Sequence, residues 1–128
     1  LVGVGVVLVV AKYVVGRTRP PSWIAVIVED GFSFPSGHAT GSFGVALLVA
    51  WMIGRWVLRA WAARVALWAI ALALACLVAF SRIYLGVHYV SDVVAGAFLG
   101  AAWAVAVIVV GEWWESRRRS AQAAPSPG

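Results

Sequence analysis

Charged residues and cysteine are scarce in this chain of 128 residues. Only 12% of the residues are charged, whereas 63% are hydrophobic, and the mean hydropathy is +0.94. A soluble domain has about 25% charged and about 45–50% apolar residues. The composition therefore excludes an ordinary soluble protein and indicates an integral membrane protein. The single cysteine, Cys76, excludes an internal disulfide and a cysteine-based metal cluster.

Acidic residues are the rarer of the two charge types. Ten Lys and Arg residues stand against five Asp and Glu residues, which gives a net charge of +5. A basic protein can bind nucleic acid, but these arginines fall between hydrophobic runs and form no soluble basic face. The pattern is typical of membrane topology, and we expect no nucleic-acid partner.

Four apolar runs have about the length of a membrane-spanning helix. A span needs about 20 apolar residues, and the runs lie at residues 1–16, 38–57, 63–80 and 88–111. They lack the period-two alternation of strands, and a helix satisfies its own backbone hydrogen bonds in lipid. The sequence predicts an all-α, polytopic membrane helix bundle. The first run is cut short at its start, so we expect an N-terminal part to be missing.

Alternating spans place the polar segment 17–37 and the turn at 81–87 on one side of the membrane. The short 54–64 connection and the C-terminal segment lie on the other side. That second side has six cations against four on the first: Arg55, Arg59, Arg64, Arg117, Arg118 and Arg119. Because cations favour the cytoplasm, we expect the basic tail at 116–128 to be cytoplasmic. The composition of this tail beyond the arginines predicts disorder, and the domain is then 1–115. The polar segment then faces outward from the cell membrane.

Two glycines in the last run, Gly96 and Gly100, are four residues apart. Small residues at this spacing let two helices approach closely in a membrane. We therefore expect a tight helix contact at this point.

His88 and Asp92 form the first polar cluster that could carry chemistry. On a helix, residues four apart share one face, so the carboxylate could accept a hydrogen bond from one ring nitrogen. The other nitrogen would then be free as a nucleophile. The alternative is a solvent-capped histidine followed by an ordinary acidic residue in the first helical turn.

The segment Pro35-Ser36-Gly37-His38 leads into the second run. A helix start offers free backbone N–H groups to an anion, and glycine lets that backbone approach closely. Ser36 could add a donor, and His38 could protonate a departing oxygen. The alternative is a simple helix cap.

Cations lie in two further polar stretches, at Lys12, Arg17 and Arg19 and at Arg82 beside Ser81. A guanidinium fork suits the oxygens of a phosphate. The alternative is snorkelling of long basic side chains at the membrane boundary. Lys12, Arg19 and Arg82 fall on the same predicted side as both histidines, which favours an anion site.

Three motifs occur in order: Lys12-x6-Arg19-Pro20, Pro35-Ser36-Gly37-His38, and Ser81-Arg82-x5-His88-x3-Asp92. Together they resemble the complete three-part signature of the type 2 phosphatidic acid phosphatase (PAP2) superfamily. Membrane members of that family have a core of six transmembrane helices. The resemblance implies that this chain contains about the last four of them.

The resemblance also implies a mechanism. His88 attacks phosphorus and forms a phosphohistidine, Asp92 orients His88, and His38 protonates the leaving oxygen and later activates water. The remaining motif positions hold the phosphoryl oxygens without a metal or another cofactor: Lys12, Arg19, Ser36, Gly37 and Arg82. Arg17 lies between motif positions and receives no catalytic role.

The implied function is hydrolysis of a lipid phosphomonoester or diphosphate, of the undecaprenyl diphosphate, phosphatidic acid or phosphatidylglycerol phosphate type. Vanadium haloperoxidases share the signature, but those enzymes are soluble, and the four apolar runs argue against them. A small transporter or a structural membrane subunit is the non-enzymatic alternative. It leaves both histidines and the motif spacing unexplained.

Overall fold

The computed structural model describes residues 2–27 and 29–123, which form four helices. Helix α1 is Val2–Val15, α2 is Gly37–Trp56, α3 is Trp61–Tyr84 and α4 is Val90–Ala123. No strand occurs in these two ranges. Helices α2, α3 and α4 are long and apolar enough to cross a membrane, whereas α1, with 14 residues, is shorter. The predicted all-α membrane bundle is confirmed, with three helices of full spanning length.

Helix α4 continues well beyond the predicted span, which ended at residue 111. Its 34 residues correspond to a length of about 51 Å, so it exceeds the roughly 30 Å hydrocarbon core of a bilayer. Residues 116–123, predicted as part of a disordered tail, are helical, and 124–128 lie outside the described residues. Contacts one turn apart support this extension: Arg119 pairs with Glu115 at 3.4 Å, and Arg117 lies over the Trp113 ring.

The interior of the bundle consists of small side chains. Helix α2 packs against both α3 and α4, around a core cluster of Ala39, Ala79 and Val93. Large apolar side chains point outward instead, including Leu77 at 64% and Phe98 at 72% exposed. Lipid tails are as apolar as leucine, so membrane helices associate through close packing and gain no hydrophobic driving force. This arrangement fits a protein surrounded by lipid.

Gly96 and Gly100 bring α4 into backbone contact with α2, as their spacing predicts. A Cβ atom on Gly100 would collide with the carbonyl oxygen of Thr40, and one on Gly96 would lie 2.5 Å from the carbonyl oxygen of Ser36. Only glycine permits this approach. The crossing therefore fixes the start of α2 beside the start of α4.

The polar loop (residues 16–36) folds over the site turn (residues 85–89), which joins α3 to α4. The Val26 amide donates to the Leu85 carbonyl at 3.0 Å, and the Ser33 amide donates to the Arg17 carbonyl at 2.9 Å. Gly86 has a φ of +69°, and a Cβ there would lie 2.7 Å from the Ile24 carbonyl oxygen. Both connections therefore meet at one end of the bundle.

Candidate active site

The starts of α2 and α4 are joined by a backbone hydrogen bond. The Ser36 amide donates to the Asp92 carbonyl oxygen at 2.9 Å. This bond lies at the end of the α2–α4 crossing, where the polar loop enters α2. The second and third sequence motifs, which are far apart in the chain, therefore meet here.

His88 lies in the site turn, two residues before α4 begins, and is only 4% exposed. Its Nε2 atom is 3.4 Å from Arg19 Nη1. A guanidinium only donates hydrogen bonds, so this contact is compatible with the tautomer that carries its proton on Nδ1 and leaves the Nε2 lone pair free to accept.

Asp92 is fully buried in the first turn of α4, close to the other side of the same ring. Its Oδ2 atom is 3.7 Å from His88 Nδ1, which is ion-pair distance and too long for a hydrogen bond. Oδ2 instead accepts the Tyr89 amide at 3.0 Å. The expected histidine–aspartate hydrogen bond is therefore not formed in this structure. His88 precedes α4, and the Asp92 carboxylate is already engaged by the Tyr89 amide at the start of that helix.

The His88 Nδ1 atom is buried and has no hydrogen-bond partner in the described part of the chain. An unpaired buried polar atom costs about 1–3 kcal/mol. Asp92 Oδ2, 3.7 Å away, would become its partner after a small movement of the ring, and the cost would then be removed. Catalytic hydrogen bonds are often long before substrate binds and shorten afterwards.

Arg17 contacts Asp92, although its sequence position gave it no role. Its Nη1 atom donates to Asp92 Oδ1 at 2.9 Å and to Ser91 Oγ at 2.6 Å, and its guanidinium lies 4.3 Å from the centre of the Tyr89 ring. A buried carboxylate needs a compensating charge, and Arg17 supplies it. Arg17 and Arg19 are two residues apart, and Arg17 reaches the start of α4 whereas Arg19 reaches the site turn.

Burial, followed by the nearby Arg19 guanidinium, lowers the pKa of His88 below its ordinary value. Asp92 acts in the opposite direction but is outweighed. The neutral imidazole is therefore favoured, which is the protonation state that a nucleophile needs.

Arg19 and Arg82 approach the same carboxylate, that of Glu29. Glu29 Oε2 is 3.0 Å from Arg19 Nη1, and Glu29 Oε1 is 3.4 Å from Arg82 Nη1. Arg19 also donates to the Val87 carbonyl at 3.0 Å. These contacts bring two of the predicted phosphate ligands together, through an acidic residue that the sequence motifs do not include.

Lys12 occupies the last turn of α1, and its Nζ atom donates to the Phe32 carbonyl oxygen. This contact ties the end of α1 to the polar loop that leads into α2. Lys12 therefore lies at the site end of the bundle, but the structure gives no contact between it and His88 or Arg82.

Ser36 and Gly37 form the start of α2. Ser36 is fully buried, and its hydroxyl oxygen accepts the Ala39 amide at 3.4 Å as the helix cap. The capping alternative is therefore observed. Gly37 is the first helical residue, as the motif required.

His38 is exposed and lines an open cavity of about 490 Å³ together with Gly37, Gly41, Ser42 and Val78. Within the two described ranges it forms no hydrogen bond or ion pair, so no polar contact joins it to His88. No group of three or more His, Cys, Asp or Glu side chains is placed to hold a metal ion in those ranges.

Comparison with known proteins points to one family. The sequence model of the PAP2 superfamily matches residues 1–116. Phosphatidylglycerophosphatase B of Bacillus subtilis is 36% identical over 91 residues, which are 71% of this chain and 44% of that protein. Undecaprenyl-diphosphatase of Sulfolobus acidocaldarius is 32% identical over 97 residues, which are 72% of this chain and 42% of that protein.

A solved structure is also similar. The transmembrane PAP2-type phosphatidylglycerolphosphate phosphatase from Bacillus subtilis superimposes with a TM-score of 0.80 at 32% sequence identity. The match covers 86% of this chain and 54% of that one. The chain thus spans about half the length of the known proteins it resembles.

Proposed function

Because the chain belongs to the PAP2 superfamily, we propose that it is a membrane phosphatase that hydrolyses a lipid phosphomonoester or diphosphate through a phosphohistidine intermediate. The observation that carries the proposal is the placement of His88. Its Nε2 atom faces the Arg19 guanidinium, and its Nδ1 atom faces the buried Asp92 carboxylate. A nucleophilic histidine needs such an arrangement, with one ring nitrogen beside an orienting carboxylate and the other facing the phosphate site.

In the first step, His88 Nε2 attacks the terminal phosphorus and forms the P–N bond, while the bond from that phosphorus to the departing oxygen breaks. The departing oxygen is the ester oxygen of a phosphomonoester or the bridging oxygen of a diphosphate. The proton on Nδ1 moves towards Asp92 Oδ2, and their present 3.7 Å separation shortens to a hydrogen bond as the ring becomes positively charged. His38 donates a proton to the departing oxygen from the open side of the site.

In the second step, the now neutral His38 accepts a proton from water, and the water oxygen attacks the phosphohistidine. The P–N bond breaks, inorganic phosphate leaves, and the His88 imidazole is regenerated as the Nδ1 proton returns from Asp92. Lys12, Arg19, Arg82 and the Gly37 amide hold the phosphoryl oxygens. Phosphoryl transfer depends on positioning and charge stabilisation, and these cations supply charge that Mg²⁺ supplies in other enzymes. Ser36 holds the start of α2 in place, and we assign its hydroxyl to the same phosphate site.

The substrate class is a lipid phosphate carried in the membrane. The polar loop lies beside apolar helices that present large side chains outward, so a lipid phosphate can reach the site while its tail remains in the bilayer. The names of the similar proteins support this class, since one acts on phosphatidylglycerophosphate and another on undecaprenyl diphosphate. Phosphatidic acid belongs to the same group of candidates.

The site faces outward from the cell membrane, and the end of α4 faces the cytoplasm. Support comes from the cation count, with six arginines at the α2–α3 connection and the end of α4 against four cations at the site end. In a Cys76→Ser background, a cysteine at Ser22 should react with an impermeant thiol reagent on intact cells. Labelling only after lysis would reverse the orientation.

The function is tested by phosphate release from a panel of lipid phosphates and diphosphates, with the full-length protein in detergent micelles. We expect turnover in EDTA, and we expect His88→Ala to abolish both turnover and the labelled phosphoenzyme. His38→Ala should impair hydrolysis of a lipid phosphate more than that of an activated aryl phosphate, whose leaving group needs no proton. Near-native turnover by His88→Ala would refute the mechanism.

A further inference from the structure

Glu29 holds the two arginines of the proposed phosphate site together. One carboxylate oxygen is 3.0 Å from Arg19 and the other is 3.4 Å from Arg82. The Glu29 side chain is only 24% exposed, that of Arg19 15% and that of Arg82 17%. Such partly buried charges interact more strongly than pairs in open water. The carboxylate is therefore a fixed part of the site in this state.

This carboxylate reproduces two oxygens of a bound phosphate. In both cases two negative oxygens on one central atom pair with separate guanidinium groups. Arg82 donates a hydrogen bond to one Glu29 oxygen, and Arg19 forms an ion pair with the other. The Arg19 nitrogen that contacts Glu29 is also 3.4 Å from His88 Nε2. A phosphoryl group bonded to His88 Nε2 would need the same guanidinium donors of Arg19 and Arg82. The phosphoryl group and the Glu29 carboxylate therefore cannot both occupy them.

We propose that Glu29 is a resident counter-anion of the phosphate site, which the phosphoryl group must displace to bind. This inference rests on the proposed function, because it takes Arg19 and Arg82 as phosphate ligands. Glu29 balances the two guanidinium charges when the site is empty. It also competes with inorganic phosphate after hydrolysis, so it weakens the binding of product and promotes its release.

The position of Glu29 in the chain allows the exchange. It lies in the polar loop outside any helix, two residues before Gly31, whose φ is +81°. The backbone carbonyls of Asp30 and Gly31 accept hydrogen bonds from Arg19 at 3.2 and 3.1 Å. The loop can therefore remain attached to Arg19 through its backbone while the Glu29 side chain rotates away.

The test measures binding of inorganic phosphate to the full-length protein in detergent, by titration calorimetry. Glu29→Gln keeps the size of the side chain and removes its charge, so it should bind phosphate about tenfold more tightly, a factor equivalent to about 1.4 kcal/mol. Asp30→Asn is the matched control. It removes the same charge from the neighbouring residue, whose exposed side chain forms no ion pair in the described residues. Its affinity for phosphate should stay within about twofold of the wild type, since exposed charges contribute little.

The inference is overturned if Glu29→Gln binds phosphate no more tightly than Asp30→Asn. Weaker binding by Glu29→Gln would show that the carboxylate orients the arginines for phosphate and does not compete with it. The lipid phosphate assay keeps the two proposals apart. If the wild type hydrolyses no lipid phosphate, the proposed function fails, whereas phosphate affinity still reports on Glu29. If hydrolysis depends on His88 but Glu29→Gln binds phosphate like the control, only the counter-anion role fails.

Discussion

The two ends of the helix bundle both contain arginine–glutamate pairs, but in different surroundings. At the site end, Arg19 and Arg82 share Glu29, and their side chains are 15% and 17% exposed. At the opposite end, Arg55 and Arg119 share Glu115 and are 44% and 74% exposed. Exposed pairs contribute about 0–1 kcal/mol, whereas a buried charge must be compensated by its neighbours. The comparison shows that burial distinguishes the arginines of the proposed phosphate site from those of an ordinary charged surface.

The largest contrast is expected between arginines of the two ends. Arg82→Ala should lower kcat/KM for a lipid phosphate by about 10²–10³-fold, because it removes a donor that stabilises charge in the transition state. Arg55→Ala should change kcat/KM by less than about twofold. Initial-rate measurements in detergent micelles test both. Similar losses in the two variants would show that the ends do not differ in function.

Arg17 should contribute through Asp92, without contacting the phosphate. Arg17→Ala should lower kcat by about 10- to 100-fold with little change in KM, because small displacements of a catalytic group have effects of this size. Arg17→Lys should recover part of kcat, since it restores the charge but not the fork. A rise in KM at unchanged kcat would instead place Arg17 among the phosphate ligands.

The α2–α4 crossing should matter more for stability than the far end of α4. Gly100→Ala should lower the free energy of unfolding by about 1–3 kcal/mol, because its Cβ would collide with Thr40. Gly111→Ala is the control, since a Cβ there meets no atom within 4 Å and alanine favours helix by up to about 1 kcal/mol. Chemical unfolding in detergent compares the two. Equal stabilities would mean that the crossing can relax.

The smallest effect is a shift in the titration of His88. Burial and Arg19 lower the pKa of His88, so its midpoint should lie below the ordinary value of about 6.5. Activity that requires neutral His88 should then persist at neutral pH and decline as the pH falls through that lower midpoint. NMR of ¹³C-labelled histidine, with His88→Gln for assignment, measures it. A midpoint at or above about 6.5 would contradict the described environment.

The helices and the clustering of the motifs could be predicted from the sequence, because both depend on local patterns. Long apolar runs identified α2, α3 and α4, and the spacing of Gly96 and Gly100 identified their closest crossing. The prediction of a hydrogen bond between His88 and Asp92 was less accurate, since it assumed that the helix already includes His88. Helix α4 starts at Val90, and the Asp92 carboxylate is engaged by the Tyr89 amide and by Arg17.

Glu29 and Arg17 could not be found in the same way. Glu29 is 53 positions from Arg82, and Arg17 is 75 positions from Asp92. No periodicity relates residues so far apart, and only the folding of the polar loop over the site turn brings them together. The end of α4 depends on local contacts. The Ala, Gln, Ser, Pro and Gly residues after the arginines suggested disorder, although charged and aromatic residues one turn apart extend the helix to Ala123.

The glycine crossing between α2 and α4 has a consequence for how such a protein can change over time. The two halves of the site are held together by main-chain atoms at Ser36, Thr40, Gly96 and Gly100. The large side chains on the outer surfaces take no part in that contact. Mutations can therefore alter the outer surface without moving the groups around His88. Under the proposed function, selectivity for the lipid tail and the chemistry at phosphorus can then diverge independently.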